Sequence, residues 1–345
     1  MAVQFPLYFP GKSSDAKDAI KVLAVDLRKT RSTFAIYQVE NCNLKLECRN
    51  ELKTDEFSSF TEMAKAYLST CDLPFDRVSI AVPGPVILGK VETANLPWPL
   101  DLQEITQELK NEKVCLVNDM EATAYSLGDL SNSEVITIHA PEEIMPGNVA
   151  LLSPGNGLGE AGLFWDGATL RPFATEGGHT EFSPRNPFEV EFYQFLNKIY
   201  GIVSWENVLT KSGIYNIYRF LRDVGRHEEK PELSGTITQG DFIKNLAAAG
   251  NDEPSRLVRT TLEWFAEFLA REANYLALKL KSTGGLVITG DLAKELRHFI
   301  DAEQFYKSFK ISDKMDKLLK DIPLYFVFND DAIAEGAALY GAYYE

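Results

Sequence analysis

A strand–turn–strand opening occurs twice in this chain, and few folds accommodate both copies. The first, "VLAVDLRKTRSTFAIYQV" (22–39), runs from one apolar strand through Asp26 and a tight turn into a second strand. The second, "VALLSPGNGLGEAGLFW" (149–165), does the same through "PGNGLGE" (154–160). Short apolar runs bounded by turn residues read as strands. "DG" at Asp166–Gly167 is then a strong hairpin signal into "ATLRPF". A supersecondary unit used twice points to internal duplication, each half offering one turn to a shared cleft.

The first opening leads an α/β unit. Strands are expected near 22–26, 32–39 and 44–49, a helix near 58–70, and a strand at "VSIAV" (78–82). A helix near 101–110, the strand "VCLVN" (114–118) and a helix from Asp119 to about Leu127 complete a β-β-β-α-β-α-β-α order. After the second opening comes a helical insertion. Asn186-Pro187 with Glu189 reads as an N-cap, a first-position proline and a capping-box partner, followed by Phe188, Phe192, Phe195 and Ile199 at helical spacing. A long helix near 256–281 puts Val258, Leu262, Phe265, Leu269, Ala273, Leu276 and Leu280 on one stripe, most simply a core face. "GGLVITGD" (284–291) is a strand entering a glycine turn, "LYFVF" (324–328) a buried strand, and 331–343 a closing helix of small residues suited to close packing.

Composition narrows the partners. The 345 residues carry 35 Lys+Arg against 50 Asp+Glu, a net charge of −15, which argues against nucleic-acid or anionic-membrane binding. No apolar run approaches the roughly 18 residues needed to span a bilayer. Residues 1–21 read as an N-terminal arm, and "MAVQFPLYFPGKSSD" lacks the basic start of a signal peptide. The four cysteines form no C-x-x-C pair and are expected as free thiols in a reducing cytoplasm. Against this acidic background the first turn, "LRKTRS", is a local exception. It carries Arg28, Lys29 and Arg31 and no glycine, a cluster suited to a small anion.

Several stretches carry candidate chemistry. "GKSS" (11–14) imitates the end of a P-loop, but Pro6 stands where the motif needs its first glycine. "GLGEAG" (157–162) fits G-x-G-x-x-G literally, yet it leads into a strand rather than a helix, so it is no dinucleotide fingerprint. Gly155, Gly157 and Gly159 still allow backbone N–H groups to approach an anion. "VCLVNDMEATAYSL" (114–127) delivers Asn118 and Asp119 to the C-terminal end of a strand, where α/β sheets favour ligands; a plain helix cap accounts for them equally. "TEGGHTEF" (175–182) sets Glu176 and His179 around two glycines that permit a bend turning both side chains one way, or else a surface turn. Glu206 in "VSWENVL" (203–209) follows Ser204, an N-cap candidate, and by itself is a favourable first-turn acid. In "ANLPWPL" (94–100), Trp98 reads as a packing anchor and Asn95 as either a hydroxyl ligand or a turn cap.

Together, over about residues 22–343, these segments resemble the bacterial glucokinase family of the hexokinase/actin-like ATPase superfamily. The resemblance rests on "IAVPGPVILGKVETANLPW", "LVNDMEATAYSL", "LLSPGNGLGEAGL", "ATEGGHTEFSPRN", "VSWENVLTKSGIYNIYRFL", "GGLVITGD" and the terminal helix, in that order. The Cys/His zinc motif of the related ROK sugar kinases is absent. The resemblance implies an α/β protein with a two-lobed, duplicated ribonuclease-H-like fold and a helical insertion in the larger lobe. The small lobe would be 22–118 plus 331–345, the large lobe 119–330. It implies ATP-dependent phosphorylation of a hexose such as glucose at its 6-hydroxyl, with Mg²⁺ on the ATP phosphates, and it allows a homodimer. The family's catalytic base falls on Asp119 and its sugar ligands on Asn95, Asn118, Glu176, His179 and Glu206. Its phosphate turns fall on 26–32 and 154–159, and its adenosine-side turn on Gly290. Such a mixed set of carboxylates, amides and an imidazole suits a polyhydroxylated ring.

The departures lie on the ATP side. The family's first turn reads Asp-x-Gly-Gly-Thr-x; here Asp26 and Thr30 match while Arg28 and Lys29 replace both glycines. Asn156 stands where the family has threonine, and Gly290-Asp291 replaces a Gly-Gly. Three readings follow: an active glucokinase with an unusual phosphate turn, a sugar-binding homologue with little or no catalysis and a regulatory role, or a kinase with another phosphoryl donor or sugar. Retention of Asp119 favours activity, because a pure binder needs no base.

Overall fold

The computed structural model describes residues 3–12, 19–93, 95–230, 240–251 and 254–344. Ser13 and Ser14 of the "GKSS" stretch, much of the leading arm (1–2 and 13–18) and Ala94 at the head of "ANLPWPL" lie outside the described residues.

The first opening builds a five-stranded sheet. Its half of the chain contains β1 (Ile20–Asp26), β2 (Arg31–Glu40), β3 (Asn43–Lys53), β4 (Arg77–Val82), the short pair β5 (Lys90–Val91) and β6 (Leu100–Asp101), and β7 (Val114–Asn118). The sheet order is β3-β2-β1-β4-β7, with β1–β2 and β2–β3 antiparallel and β1–β4 and β4–β7 parallel. β1 is buried on both faces, which is why it reads as one continuous apolar run. Leu23 and Val25 share a cluster with Phe34, Phe60 and Tyr67; Val22 and Ala24 share the other with Tyr37, Ala337 and Ala338.

The closing helix, Ala332–Tyr343, covers that second face. A Cβ at Gly336 would run into the carbonyl of Ala122, so this helix and the helix Asp119–Ser126 meet backbone to backbone. Small residues there are a packing requirement, and they fix the helix that begins with Asp119.

The second opening builds a six-stranded sheet from β8 (Glu134–His139), β9 (Val149–Pro154), β10 (Leu158–Trp165), β11 (Leu170–Thr175), β12 (Gly285–Ile288) and β13 (Leu324–Phe328), in the order β11-β10-β9-β12-β13-β8. β9–β12 and β12–β13 are parallel. Five of the six positions therefore repeat the plan of the first sheet, and the duplication read from the turns is present in the strand order. β8, which the sequence reading did not anticipate, adds antiparallel to β13.

The helical insertion begins as its caps foretold. The Asn186 side chain accepts from Glu189 N (2.9 Å), and Pro187 opens the helix Pro187–Tyr200. Glu189 does more than close a cap, because its carboxylate takes two hydrogen bonds from Arg271 (2.6 and 2.9 Å) in the interior. Arg271 lies on the long helix Arg256–Leu280, whose apolar stripe is buried from Val258 to Leu276, with Leu280 at its end only partly buried. That helix is also buried beyond its stripe, at Arg271, Glu272 and Asn274. Ile199, the last residue of the insertion's expected stripe, is 47% exposed.

The chain divides into two compact units: residues 1–133, 163–174 and 329–345, and residues 134–162 and 175–328. The helix that starts at Asp119 belongs to the first unit. The "LGEAG" glycine motif is strand β10, in line with its rejection as a dinucleotide site.

Candidate active site

In the first unit, Asn118 ends β7 and caps the following helix. Its Oδ1 accepts from Met120 N (2.8 Å) and Glu121 N (3.2 Å), while its Nδ2 donates to the Gly84 carbonyl (3.0 Å). Gly84 lies at φ +106°, a backbone state that side chains disfavour, and a Cβ on it would rest on Thr93. Thr93 Oγ1 in turn accepts from Asn95 N (3.2 Å). Asn118 thus bonds the start of the Asp119 helix to the Gly84 backbone, and Thr93 fixes the backbone of the exposed Asn95. Asp119 is the first residue of that helix, with Oδ1 accepting from Met120 N (2.8 Å). Two residues on, burial pushes the Glu121 carboxyl up to about 7. Trp98 is an anchor, donating from Nε1 to the Phe57 carbonyl (3.1 Å).

The capping account of Asn118 is thus correct as structure, and it limits what Asn118 can offer a ligand. Its carbonyl oxygen and one amide hydrogen are committed to the backbone.

In the second unit, Glu176 precedes and His179 closes a single 3₁₀ turn over Gly177–His179, and both residues are exposed. The next residues tie this turn to the Glu206 segment. Trp205 N donates to the Thr180 carbonyl (3.0 Å), and Glu181 bridges to Ser204. Ser204 caps the 3₁₀ turn Trp205–Asn207 with Asn207 as its partner. Glu206 reaches away from that turn and accepts from Leu158 N (3.1 Å) at the start of β10. A Cβ on Gly157 would sit 3.0 Å from Glu206 Oε2, and one on Gly178 would strike the Leu158 carbonyl. Glycine at 157 and 178 therefore supplies clearance, which lets the Glu206 side chain and the backbone of the Gly177–His179 turn approach the start of β10.

That tip is the second expected phosphate turn. Gly155 N donates to the Gly157 carbonyl (2.9 Å), and Asn156 is exposed between them. Gly290, at φ +90°, backs onto it: a Cβ there would lie 2.6 Å from the Pro154 carbonyl. One basic residue escaped the sequence reading. Lys211 N donates to the Gly155 carbonyl (3.0 Å), setting the start of the helix Lys211–Asp223 beside the turn. Its signal was a lysine directly after Thr210, the cap of that helix. Gly84 was likewise missed, although "PGP" is a conspicuous turn.

The first turn, 26–32, does without glycine because nothing in it needs positive φ. Ser32, fully buried, accepts from Arg28 N (3.0 Å) and contacts Thr54 Oγ1 (2.7 Å), while Thr54 N donates to the Thr30 carbonyl (3.0 Å). Arg28 folds back on the buried Asp26, with Nε and Nη2 at 2.8 and 2.7 Å from Oδ2. Arg31 lies 3.6 Å from Glu51, and Lys29 and Arg31 are exposed.

Comparison with known proteins agrees along the whole length. The profile of the glucokinase family matches residues 23–343. The glucokinase of Trichormus variabilis is 30% identical over 340 residues, covering 93% of this chain and 98% of that protein. The crystal structure of a glucokinase from an Antarctic psychrotroph superposes with a TM-score of 0.77 at 27% identity, over 92% of this chain and 98% of that one. The glucose-bound glucokinase of Balamuthia mandrillaris reaches the same TM-score, 0.77, at 17% identity over 97% and 96% of the two chains, a likeness of fold.

Proposed function

The chain belongs to the glucokinase family, and we propose that Asp119 is its general base. It phosphorylates glucose at the expense of ATP and has the actin-like ATPase fold. The reading of a non-catalytic sugar binder is not favoured. In our account Asp119 takes the proton of the 6-hydroxyl as that oxygen attacks the terminal phosphoryl group of ATP. An ordinary carboxylate suffices, since in a loose transition state the proton leaves late. The supporting observation is the Asn118 cap, which bonds Met120 N, Glu121 N and the Gly84 carbonyl and so fixes the helix start that carries Asp119 at the C-terminal end of β7.

Asn95, Glu176, His179 and Glu206 are the proposed hydroxyl ligands, and Asn118 contributes its remaining amide hydrogen. Leaving such groups without partners would penalise a wrong sugar. For the phosphates, we assign the Gly155-Asn156-Gly157 turn, with Gly290 behind it, and the turn carrying Asp26, Arg28, Lys29 and Thr30. Arg28 exchanges its Asp26 partner for a phosphate oxygen when ATP is bound. A guanidinium suits that exchange because it forks to either acid. Mg²⁺ would ride on the nucleotide, where it neutralises phosphate charge, and needs only one or two carboxylates; buried Asp26 is an oxygen donor fitted to that part. Four free thiols suit a reducing cytoplasm. A homodimer is the proposed assembly state, which sedimentation reads.

The test is substrate-based. Glucose and 6-deoxyglucose should bind comparably, but only glucose should yield a sugar phosphate, detected by ³¹P NMR at the 6-position. Phosphate on any other oxygen, or turnover of the deoxy sugar, contradicts the assignment.

A further inference from the structure

Beneath the Glu176–His179 turn lie two carboxyl groups that the reaction does not use. Glu160 is on β10 and Glu272 on the long helix; they are 1% and 0% exposed. Their side chains are within hydrogen-bonding reach of each other. Yet Glu160 Oε1 and both Glu272 oxygens find no donor. Two ionised carboxylates only accept, so buried together they would repel and leave these oxygens unsatisfied. A proton on one of them turns repulsion into a hydrogen bond. The charged group facing the pair is Lys279, 3.9 Å from Glu272 Oε1 and half exposed, which is too distant and too wet to neutralise two charges.

The pair touches the sugar turn directly. A Cβ on Gly177 would coincide with Glu160 Oε2, so the turn lies on this carboxyl. Thr175 Oγ1, which donates to the Glu160 carbonyl (3.2 Å), accepts from Gly177 N (3.3 Å). Glu160 thus supports the Glu176–His179 turn through its side chain and its backbone.

We propose that Glu160 and Glu272 share one proton, and that this singly protonated pair is a positioning element that holds the Glu176–His179 turn in its sugar-binding shape. This rests on the reading of that turn as part of the sugar site. Burial, reinforced by the Glu160 charge, pushes Glu272 up to about 9, and burial raises Glu160 as well. Glu272 therefore keeps a proton at neutral pH and loses it only in the alkaline range. Two like charges under Gly177 then displace the turn.

The experiment combines infrared spectroscopy with a glucose-binding titration. In an infrared difference spectrum at pH 7, the wild type should show one buried protonated carboxyl that Glu272→Gln lacks, beyond the contribution of Glu121 that both share. The wild-type dissociation constant for glucose should rise about fivefold between pH 7 and pH 10 as the pair ionises. In Glu272→Gln, whose amide donates to Glu160 at every pH, that rise should vanish while affinity at pH 7 stays within about twofold. Gly177→Ala should weaken glucose binding about tenfold, because its Cβ lands on the pair. Absence of the carboxyl band, or an alkaline rise that persists in Glu272→Gln, overturns the proposal. Should Glu272→Gln fail to fold, the wild-type band and titration decide, and an affinity flat to pH 10 counts against it. A band without glucose binding at any pH removes the sugar-site reading, and the proposal with it.

Discussion

At the scale of single residues, side chains that look interchangeable have different tasks. Glu176 and His179 present exposed polar groups, whereas Glu206 already accepts from Leu158 N and lies against Gly157. Replacing Glu206 by Ala removes a proposed sugar ligand and the acceptor of a backbone N–H at the phosphate turn. It should raise the KM for glucose ten- to a hundredfold, with kcat reduced less, in steady-state kinetics. Arg28 poses a separate question. Its turn takes ordinary backbone angles, so its bulk closes off no glycine conformation. Arg28→Ala should then raise the KM for ATP about tenfold and leave that for glucose unchanged. An improved KM for ATP would mean that the side chain obstructs the nucleotide.

At the scale of elements, the contact between the closing helix and the Asp119 helix matters most. Gly336 leaves no room for a side chain over the Ala122 carbonyl. Gly336→Val should cost about 2–3 kcal/mol in denaturant unfolding. It should also lower kcat through the displaced Asp119 helix, more than it alters the KM for ATP. Much at this scale was readable in the residues. The two openings declared themselves by apolar runs around turns, and Asn118 and Asn186 by cap chemistry. The glycines at 157 and 178 were readable as special but not as clearance, because what they clear, Glu206 and the Leu158 carbonyl, is distant in sequence or faces them only in the folded turn. Glu272 was hidden for a similar reason. It lies one residue from Ala273 of the apolar stripe, and only the packing of β10 shows that it is interior. β8 escaped because "EVITIH" is short and largely exposed, and among the described residues it pairs only with β13, far along the chain.

At the scale of the molecule, buried carboxyls govern the response to pH. Burial raises Glu121 to about 7 and Glu272 to about 9, and raises Glu160 and Glu335 as well. For each, the folded state keeps its proton to a higher pH than the unfolded chain, whose carboxyls titrate near 4.3. Stability therefore falls as pH rises from that value through 7 towards 9. Growing negative charge on a chain already at −15 acts in the same direction. Thermal melts should show Tm declining from pH 6 to pH 9, and a flat or rising Tm would contradict the buried-carboxyl account.

The central claim is that Asp119 removes the sugar proton, and it is tested most directly by glucose-dependent ADP release in the wild type and in Asp119→Asn, with glucose binding measured alongside. The account predicts a kcat loss of about 10³-fold or more in the variant with glucose affinity largely kept. A variant that turns over within about tenfold of the wild type would contradict it.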